Sequence, residues 1–175
     1  MATNVSNIQI GHGVVNIKKP ADAGSWRTLG GLSEDGVRIR ATSDRYNVFV
    51  ADGDICVKSK RQRLEITLEF EVVEATLQGL ADALGIPDNR VDGTAGTLTI
   101  TDEDVGEIGI QFVGEDVDGG ELKKWEFPKC VLTPDLEISL QKGGEVRIPF
   151  SVYVLGEYDE TLGAYKIGTV SKAIS

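Results

Sequence analysis

The sequence contains few of the residues on which enzyme chemistry usually depends. Histidine occurs once, as His12, and cysteine occurs twice, as Cys56 and Cys130. A Ser-His-Asp or Cys-His catalyst would have to use His12, which lies between two glycines, so a structural or exposed histidine is the better interpretation. The two cysteines have no metal-binding spacing, which predicts reduced, packed thiols. We therefore expect no catalytic residues.

Metal and nucleotide motifs are also missing. The acidic stretches TDEDVGE (101–107) and GEDVDGGE (114–121) do not place ligands at the positions of a calcium-binding EF-hand loop, and solvated turns explain them better. No glycine-rich loop joins a strand to a helix with a lysine, as phosphate binding would require. The sequence predicts neither a metal site nor a cofactor.

Nothing in the sequence indicates a membrane or a secretion route. No apolar run approaches the roughly 20 residues of a membrane span. The start, MATNVSNIQIG, has neither the basic nor the apolar region of a signal peptide. Asn4 begins a glycosylation sequon, which we interpret as chance. We expect a protein that is made in the cytoplasm and is not inserted into a membrane.

Charge is unevenly distributed along the chain. The net charge is −10, which argues against sequence-specific nucleic-acid binding. Residues 1–64 carry 10 basic and 6 acidic groups, a net of +4, whereas residues 65–135 carry 4 basic and 17 acidic groups, a net of −13. Two poles of opposite charge suit head-to-tail self-association.

Most of the sequence has the pattern of short antiparallel strands. Apolar residues alternate with mostly polar ones over 64–73 (LEITLEFEVV), which predicts a half-buried strand. Further strands are predicted near 8–17, 97–101, 107–113 and 121–131. A hairpin is predicted over 135–156, with a three-residue loop at 142–144. Residues 42–63 lose this period, so we predict a long early loop there, either two short strands or one excursion.

One helix interrupts this pattern. Leu77, Leu80, Ala81 and Leu84 have helical spacing, which predicts a short amphipathic helix at about 76–84. Thr76 is a suitable N-cap, and Gly85 is suited to the position after the C-cap. The fold class is therefore mainly β, an antiparallel β-sandwich or distorted barrel with one short α-helix.

Three stretches, taken in order, resemble the tail tube proteins of long-tailed bacteriophages, especially those with non-contractile tails. They are SWRTLGGLSEDGVRI (25–39), LEITLEFEVVEATLQGLADALG (64–85) and WEFPKCVLTPDLEISLQKGGEVRIPFSVYVLGEYDE (125–160). The fold of that family is shared with contractile tail tubes and with the tube protein of a bacterial secretion system. The resemblance implies a single domain over 1–175, with an N-terminal arm at about 1–20, the long loop at about 42–63 and a C-terminal tail at about 157–175.

The resemblance also implies a structural role in the virion. In that family six copies form a ring, and the inner sheets of neighbouring copies join into a continuous barrel around a channel. Rings stack into a tube, helped by the N-terminal arm and the long loop. The tube surrounds a tape-measure protein, meets terminator and baseplate proteins at its ends, and later conducts genomic DNA. The protein would be made in the host bacterial cytoplasm and would belong to the tail.

Two sets of charged residues are candidates for these contacts. The ring-stacking hypothesis pairs basic residues in or beside the long loop with the acidic region 88–121 of another copy; these are Arg45, Lys58, Lys60, Arg61 and Arg63. The lumen hypothesis places Glu65, Glu69 and Glu71, on the polar side of the 64–73 strand, along the channel. A wall of like charge would keep DNA from sticking to it.

Other functions stay open at this stage. A ring-forming tube or terminator protein of a contractile or secretion apparatus would share the fold, because surface detail decides between capping and stacking. A monomeric β-sandwich binding module predicts an aromatic-lined groove, but the two tryptophans and four tyrosines do not cluster in the sequence. An enzyme is disfavoured by the missing nucleophile and base.

Overall fold

The structure, a computed structural model, describes residues 4–22, 24–49, 56–73, 76–116, 122–134 and 147–172. The strands are β1 (Asn4–Lys18), β2 (Arg27–Phe49), β3 (Cys56–Val72), β4 (Val91–Asp92), β5 (Thr97–Leu98), β6 (Glu107–Asp116), β7 (Leu122–Leu132), β8 (Ile148–Val154), β9 (Glu157–Asp159), β10 (Ala164–Lys166) and β11 (Thr169–Lys172). The helix is α1 (Leu77–Ala83), and short 3-10 turns lie at Pro20–Asp22 and Asp88–Arg90. The chain is therefore mainly β with one short helix, as predicted.

Six of the strands are hydrogen-bonded in a ring. The main sheet has the order β11-β7-β6-β1-β2-β3-β8, all antiparallel, and β8 also pairs with β7. The closing contact is short, from Cys130 opposite Val154 to Leu132 opposite Val152. The predicted distorted barrel is confirmed, with β11 added at the edge of β7.

The apolar faces of the ring point inward and form the core. Buried side chains come from every strand of the ring, and Phe70 lies at the centre of an aromatic group. Its ring stacks on Phe150 at 5.0 Å and meets the edge of Phe112 at 5.2 Å between centroids. Arrangements of this kind stabilise a core beyond the burial of area alone. The alternation seen in the sequence of β3 is the cause, because it directs Leu68, Phe70 and Val72 to one side.

Helix α1 begins and ends where the sequence indicated. The Thr76 hydroxyl accepts a hydrogen bond from the Gly79 amide at 2.9 Å, as an N-cap does. Gly85 follows the C-cap Leu84 with φ +69, a left-handed conformation that glycine adopts without strain. The helix packs at the end of the barrel where β3 finishes.

Predicted strands were confirmed in the second half of the chain, with one exception. Strands β6, β7 and β8 occupy the segments predicted near 107–113, 121–131 and the end of the 135–156 hairpin. The strand predicted at 97–101 is wrong beyond Leu98, because Ile100 is 71% exposed and has no buried face to occupy. The hairpin loop predicted at 142–144 lies outside the described residues.

The strand predicted near 8–17 is confirmed within 4–18, the segment that the resemblance assigned to an N-terminal arm. This segment is β1, which pairs with β2 on one side and β6 on the other. Gly13 permits a close approach between β1 and β6, because a Cβ on Gly13 would lie 2.5 Å from the Val113 carbonyl oxygen. The predicted C-terminal tail is also structured over 157–172, as the β9–β10 hairpin and the edge strand β11.

The segment 42–63, predicted as a long early loop of either two short strands or one excursion, has the two-strand form in its described residues. Residues 42–49 belong to β2 and residues 56–63 belong to β3, and the two strands pair as far as Phe49 opposite Cys56. Both faces of this pair meet solvent, so its sequence has no alternation between apolar and polar residues. Periodicity could therefore not reveal these strands.

A buried ion cluster joins α1 to the end of β1 and the start of β2. The Lys19 side chain is almost fully buried, and its Nζ lies 2.5 Å from Asp82 Oδ1 and 2.6 Å from Asp88 Oδ1. Arg27 donates from Nη1 to Asp82 Oδ2 at 2.9 Å. Asp82 is completely buried, so its charge depends on these two cations.

We predict that Asp82→Asn lowers the free energy of unfolding by about 3–5 kcal/mol, because Lys19 is then buried without its closest counter-charge. Urea unfolding followed by tryptophan fluorescence measures the loss. The double variant Lys19→Met with Asp82→Leu is the control, and it should recover most of the stability because the buried charges are removed together. A loss below about 1 kcal/mol for Asp82→Asn would contradict this prediction.

We also predict a specific pH dependence from Asp88. Burial alone would raise its pKa, but the hydrogen bond from Lys19 and the charges of Lys19 and Arg27 outweigh burial, so the pKa lies below its usual value. The stability that Asp88 contributes is therefore present above the unfolded-state pKa of about 3.9 and is lost as pH falls through the lower folded-state value.

Unfolding free energies of the wild type and Asp88→Asn, measured from pH 7 downward, should differ most above about pH 5 and converge in acid. The exposed Asp102 is the matched position, and Asp102→Asn should leave the curve unchanged. Parallel curves for the wild type and Asp88→Asn would show that Asp88 has no such role.

Candidate self-association surfaces

The β2–β3 hairpin extends beyond the barrel. Pairing of β1 with β2 ends at Asn4 opposite Ser43, and pairing of β8 with β3 ends at Val154 opposite Ile66. Among the described residues, 44–49 and 56–63 therefore pair only with each other. We call these two segments the ribbon. Its outer strand edges leave backbone groups open to a further strand or to water.

The two faces of the ribbon differ in chemistry. A register shift after Asp44 sets Tyr46 opposite Lys60 and Val48 opposite Lys58, and directly opposed residues share a face. We call this the lysine face. The other face carries Arg45 opposite Arg61, and we call it the arginine face. There the Arg45 Nη1 lies 3.4 Å from the Ser59 hydroxyl.

Large apolar side chains of the ribbon are exposed. Tyr46 is 57% exposed, Phe49 56% and Val48 37%. A two-stranded hairpin is at best marginally stable in water without a covered face. The ribbon therefore has the composition of a surface that is covered by a partner.

The five basic residues predicted for ring stacking do not form one patch. All five side chains are exposed, but Arg45 and Arg61 lie on one face of the ribbon while Lys58 and Lys60 lie on the other. Arg63, at the base of the ribbon, forms an ion pair with Glu65 of the same chain. Alternation along β3 alone separates Arg61 from Lys58 and Lys60. The register shift that sets Arg45 opposite Arg61 depends on pairing between strands, so the sequence could not predict it.

Acidic residues cluster at the opposite end of the barrel. Strand β3 leads away from the ribbon to Val72, and α1 and the segment 84–106 follow it there. We call the exposed carboxylates of this end the acidic pole; they are Asp92, Asp102, Glu103, Asp104 and Glu107. Arg90 pairs with Glu103 at 2.5 Å, and Lys129 pairs with Glu107 at 3.2 Å. The basic ribbon and the acidic pole thus lie at opposite ends of the folded barrel.

The acidic region predicted to be the stacking partner is divided by the fold. Residues 88–107 lie at the acidic pole, but β6 then runs toward the ribbon end and finishes at Glu115–Asp116. Grouping 88–121 as one surface was therefore wrong, because a ten-residue strand separates its two halves.

The three glutamates predicted for the lumen lie together on the polar face of β3. Each is close to an arginine: Glu65 to Arg63, Glu69 to Arg38 at 3.6 Å and Glu71 to Arg147 at 3.7 Å. A shallow depression of about 480 Å³ runs along this face and includes Glu69, Glu71 and Arg38. The side chains therefore form a mixed, ion-paired surface, and the expectation of a uniformly acidic wall does not follow from them.

The cysteines occupy different environments. Cys130 is buried, and desolvation raises the pKa of its thiol to about 12, which leaves it unreactive. Cys56 is exposed at the end of the ribbon, so the prediction that both thiols are packed is wrong for Cys56. The backbone of His12 lies within β1.

The described residues contain neither a metal-binding cluster nor a membrane-spanning helix. No group of three or more His, Cys, Asp or Glu side chains within them is arranged to hold a metal ion. No helix in the part of the chain that the structure describes has the length and apolar character needed to cross a bilayer.

Solved structures that are similar to this chain include two that each cover 93% of it. No protein-family model matches the chain, and no curated protein matches its sequence. The chain is similar to a chain in the cryo-EM structure of the anti-feeding prophage baseplate, 6-fold symmetrised, with 8% identity, a TM-score of 0.49 and 93% of both chains covered. It is also similar to a crystal structure of Hcp protein, with 10% identity, a TM-score of 0.31, and 93% and 99% of the two chains covered. At TM-scores below 0.5, neither similarity assigns a function to this chain.

We predict that the ribbon is the least protected part of β3 in dilute solution. Amide hydrogens of 56–63 should exchange orders of magnitude faster than those of 66–72, because only the latter are paired on both sides. Hydrogen exchange with mass spectrometry, at a concentration where light scattering shows a monomer, measures both segments in one sample. Equal protection along β3 would show that the ribbon is stable without a partner.

Proposed function

We propose that this chain is a structural protein that assembles with copies of itself into hexameric rings, and that the rings stack into the tail tube of a phage particle. The observation that carries the proposal is the ribbon, which extends past its own barrel with exposed aromatic side chains and a basic surface. Such a segment is stabilised when another copy covers it. The acidic pole supplies a surface of opposite charge at the other end of the same molecule.

The stacking contact joins the arginine face of one copy to the acidic pole of the next. Arg45 and Arg61 are exposed on a projecting segment, and guanidinium groups bind carboxylates in a two-pronged geometry. Asp92 and Asp102 are exposed acceptors at the pole. Because donor and acceptor surfaces differ, each added copy leaves both kinds of surface free, and the assembly grows as a filament.

The polar face of β2, β3 and β8 is the surface that we assign to the lumen. Glu65, Glu69 and Glu71 remain the lumen-lining residues of the proposal, now together with their arginine partners. An ion-paired wall has little net charge, so passing DNA meets neither a strongly attractive nor a strongly repulsive surface. In this role the tube would surround a tape-measure protein, meet terminator and baseplate proteins at its ends, and conduct genomic DNA in the virion.

Negative-stain electron microscopy over a concentration series, with light scattering alongside, tests the proposal. Hollow tubes with six-fold rings are the expected result. Isolated rings would replace the tube role with that of a terminator or a ring-only protein. A monomer at every concentration, in the presence of a tail-initiation complex as well, would overturn self-assembly and favour a binding module.

We predict that Arg45→Glu with Arg61→Glu abolishes tube formation at concentrations where the wild type assembles. Each reversal replaces an attraction to the acidic pole by a repulsion, and both residues are exposed, so folding should be unaffected. Sedimentation of tubes measures the assembled fraction. The variant Arg45→Lys with Arg61→Lys keeps the charge and serves as the control, and it should assemble. Tubes from the glutamate variant in wild-type amounts would exclude this contact.

A further inference from the structure

The hairpin formed by β9 and β10 carries an exposed aromatic pair. Tyr158 and Tyr165 are directly opposed, with their ring centroids 5.4 Å apart and the ring planes at 70°. Tyr158 is 56% exposed and Tyr165 71%. Leu162, in the turn between the strands, is 65% exposed. The two rings stabilise the hairpin as a cross-strand pair, yet both tyrosines keep more than half of their surface exposed, so together with Leu162 they form a surface available to a partner.

The charge of this hairpin is mainly negative. Glu157, Asp159 and Glu160 are opposed by Lys166 alone within 157–166. Asp159 is occupied within the turn, where its Oδ1 accepts hydrogen bonds from the amides of Thr161 and Leu162 at 2.9 and 3.1 Å. Glu157 and Glu160 are exposed. The surface therefore combines aromatic rings with carboxylates, which suits a partner that combines apolar and basic side chains.

The hairpin is continuous with the acidic pole. A depression of about 250 Å³ beside it is lined by Pro128, Glu157 and Tyr158 among others. A second depression, of about 290 Å³, shares Pro128 and Glu157 and extends to Glu107 of the acidic pole; its lining also includes Lys18, Lys19 and Lys129. A ribbon that reaches the acidic pole of a neighbouring copy therefore arrives beside the tyrosine pair.

We propose that the exposed tyrosine pair of the β9–β10 hairpin is a docking surface for the lysine face of the ribbon of a neighbouring copy. The lysine face is the matching surface on this chain, because it places Tyr46 and Val48 beside Lys58 and Lys60. The apolar side chains cover one another. The ammonium groups lie over tyrosine rings or against the hairpin carboxylates, and both interactions are favourable.

The contact is made between copies and not within one. Tyr158 and Tyr165 keep most of their surface exposed in the single chain, so its own ribbon does not cover them. The inference rests on the proposed self-assembly and adds a second contact, made by the lysine face of the ribbon. The ribbon is then covered on both faces, by the acidic pole on its arginine face and by the tyrosine pair on its lysine face.

Disulfide trapping tests this contact directly. The triple variant Cys56→Ser, Lys60→Cys, Tyr165→Cys removes the exposed native thiol and places one new thiol on each proposed surface. Mild oxidation under assembly conditions should give a ladder of covalent oligomers on a non-reducing gel, at multiples of 18.8 kDa. The matched control is Cys56→Ser, Ser59→Cys, Tyr165→Cys, which leaves Arg45 and Arg61 in place. Its ribbon thiol lies one residue away on the arginine face, so it should remain mostly monomeric.

A second variant pair tests the energetic contribution of the rings. Tyr158→Ser with Tyr165→Ser should raise the concentration needed for assembly by about ten-fold, the effect expected when a central aromatic contact is lost. Tyr158→Phe with Tyr165→Phe keeps the rings and should assemble as the wild type does. Circular dichroism and urea unfolding of each variant establish that the exposed substitutions leave the fold intact.

The outcomes separate this inference from the function on which it rests. Assemblies seen by electron microscopy without a ladder from the Lys60→Cys variant, or with equal ladders from both variants, would overturn the docking site and leave self-assembly standing. Absence of assemblies from the wild type and from Cys56→Ser under all conditions would overturn both. A ladder from the Lys60→Cys variant alone, together with the shift caused by the serine variant, supports the site.

Discussion

Strands β2 and β3 are longer than the strands beside them, and the ribbon and its exposed surfaces depend on this difference in length. A strand of 23 residues and one of 17 pair along nearly their whole shared length, whereas β8, the other neighbour of β3, has only seven. A ring of strands can bury only the segments that both neighbours cover. The remaining residues of β2 and β3 form the ribbon, in which each strand is paired along one edge only and both faces are exposed. Its edges, aromatic side chains and charges all follow from that excess length.

Charges in this chain fall into two kinds according to what surrounds them. In the cluster of Lys19, Asp82, Arg27 and Asp88, the first two side chains are buried and the other two are about one-third exposed. Desolvation of the buried pair makes its partners necessary. The charges of the ribbon and the acidic pole remain in water, where single ion pairs add little stability. In the proposed assembly these charges act on the approach of one copy to another, since exposed charges of opposite sign guide encounter and orientation. The same side-chain types would then hold α1 in place and direct association.

The sequence predicted the elements that are marked by capping residues or by an apolar–polar alternation that matches the burial of their side chains. The alternation over 64–73 identified half of β3, and Thr76 and Gly85 marked the ends of α1, because those signals act within a few residues. The ribbon and the central position of β1 were not predictable in this way. The ribbon has solvent on both faces and hence no period. The strand near 8–17 was predicted, but its place between β2 and β6, where Gly13 comes close to Val113, depends on long-range pairing. The placement of Arg45 opposite Arg61 depends on a register shift, and the exposure of Tyr158 and Tyr165 depends on a hairpin between them.

The placement of ribbon and acidic pole at opposite ends has a consequence for how a tube would start and stop. A tube of such copies has polarity: one terminus presents basic ribbons with uncovered tyrosine and valine, and the other presents carboxylates beside a tyrosine pair. The factor that nucleates growth and the factor that arrests it therefore meet chemically different surfaces. An acidic, aromatic-bearing protein fits one terminus, and a protein with a basic projecting hairpin fits the other. One protein with a single binding face could not perform both tasks.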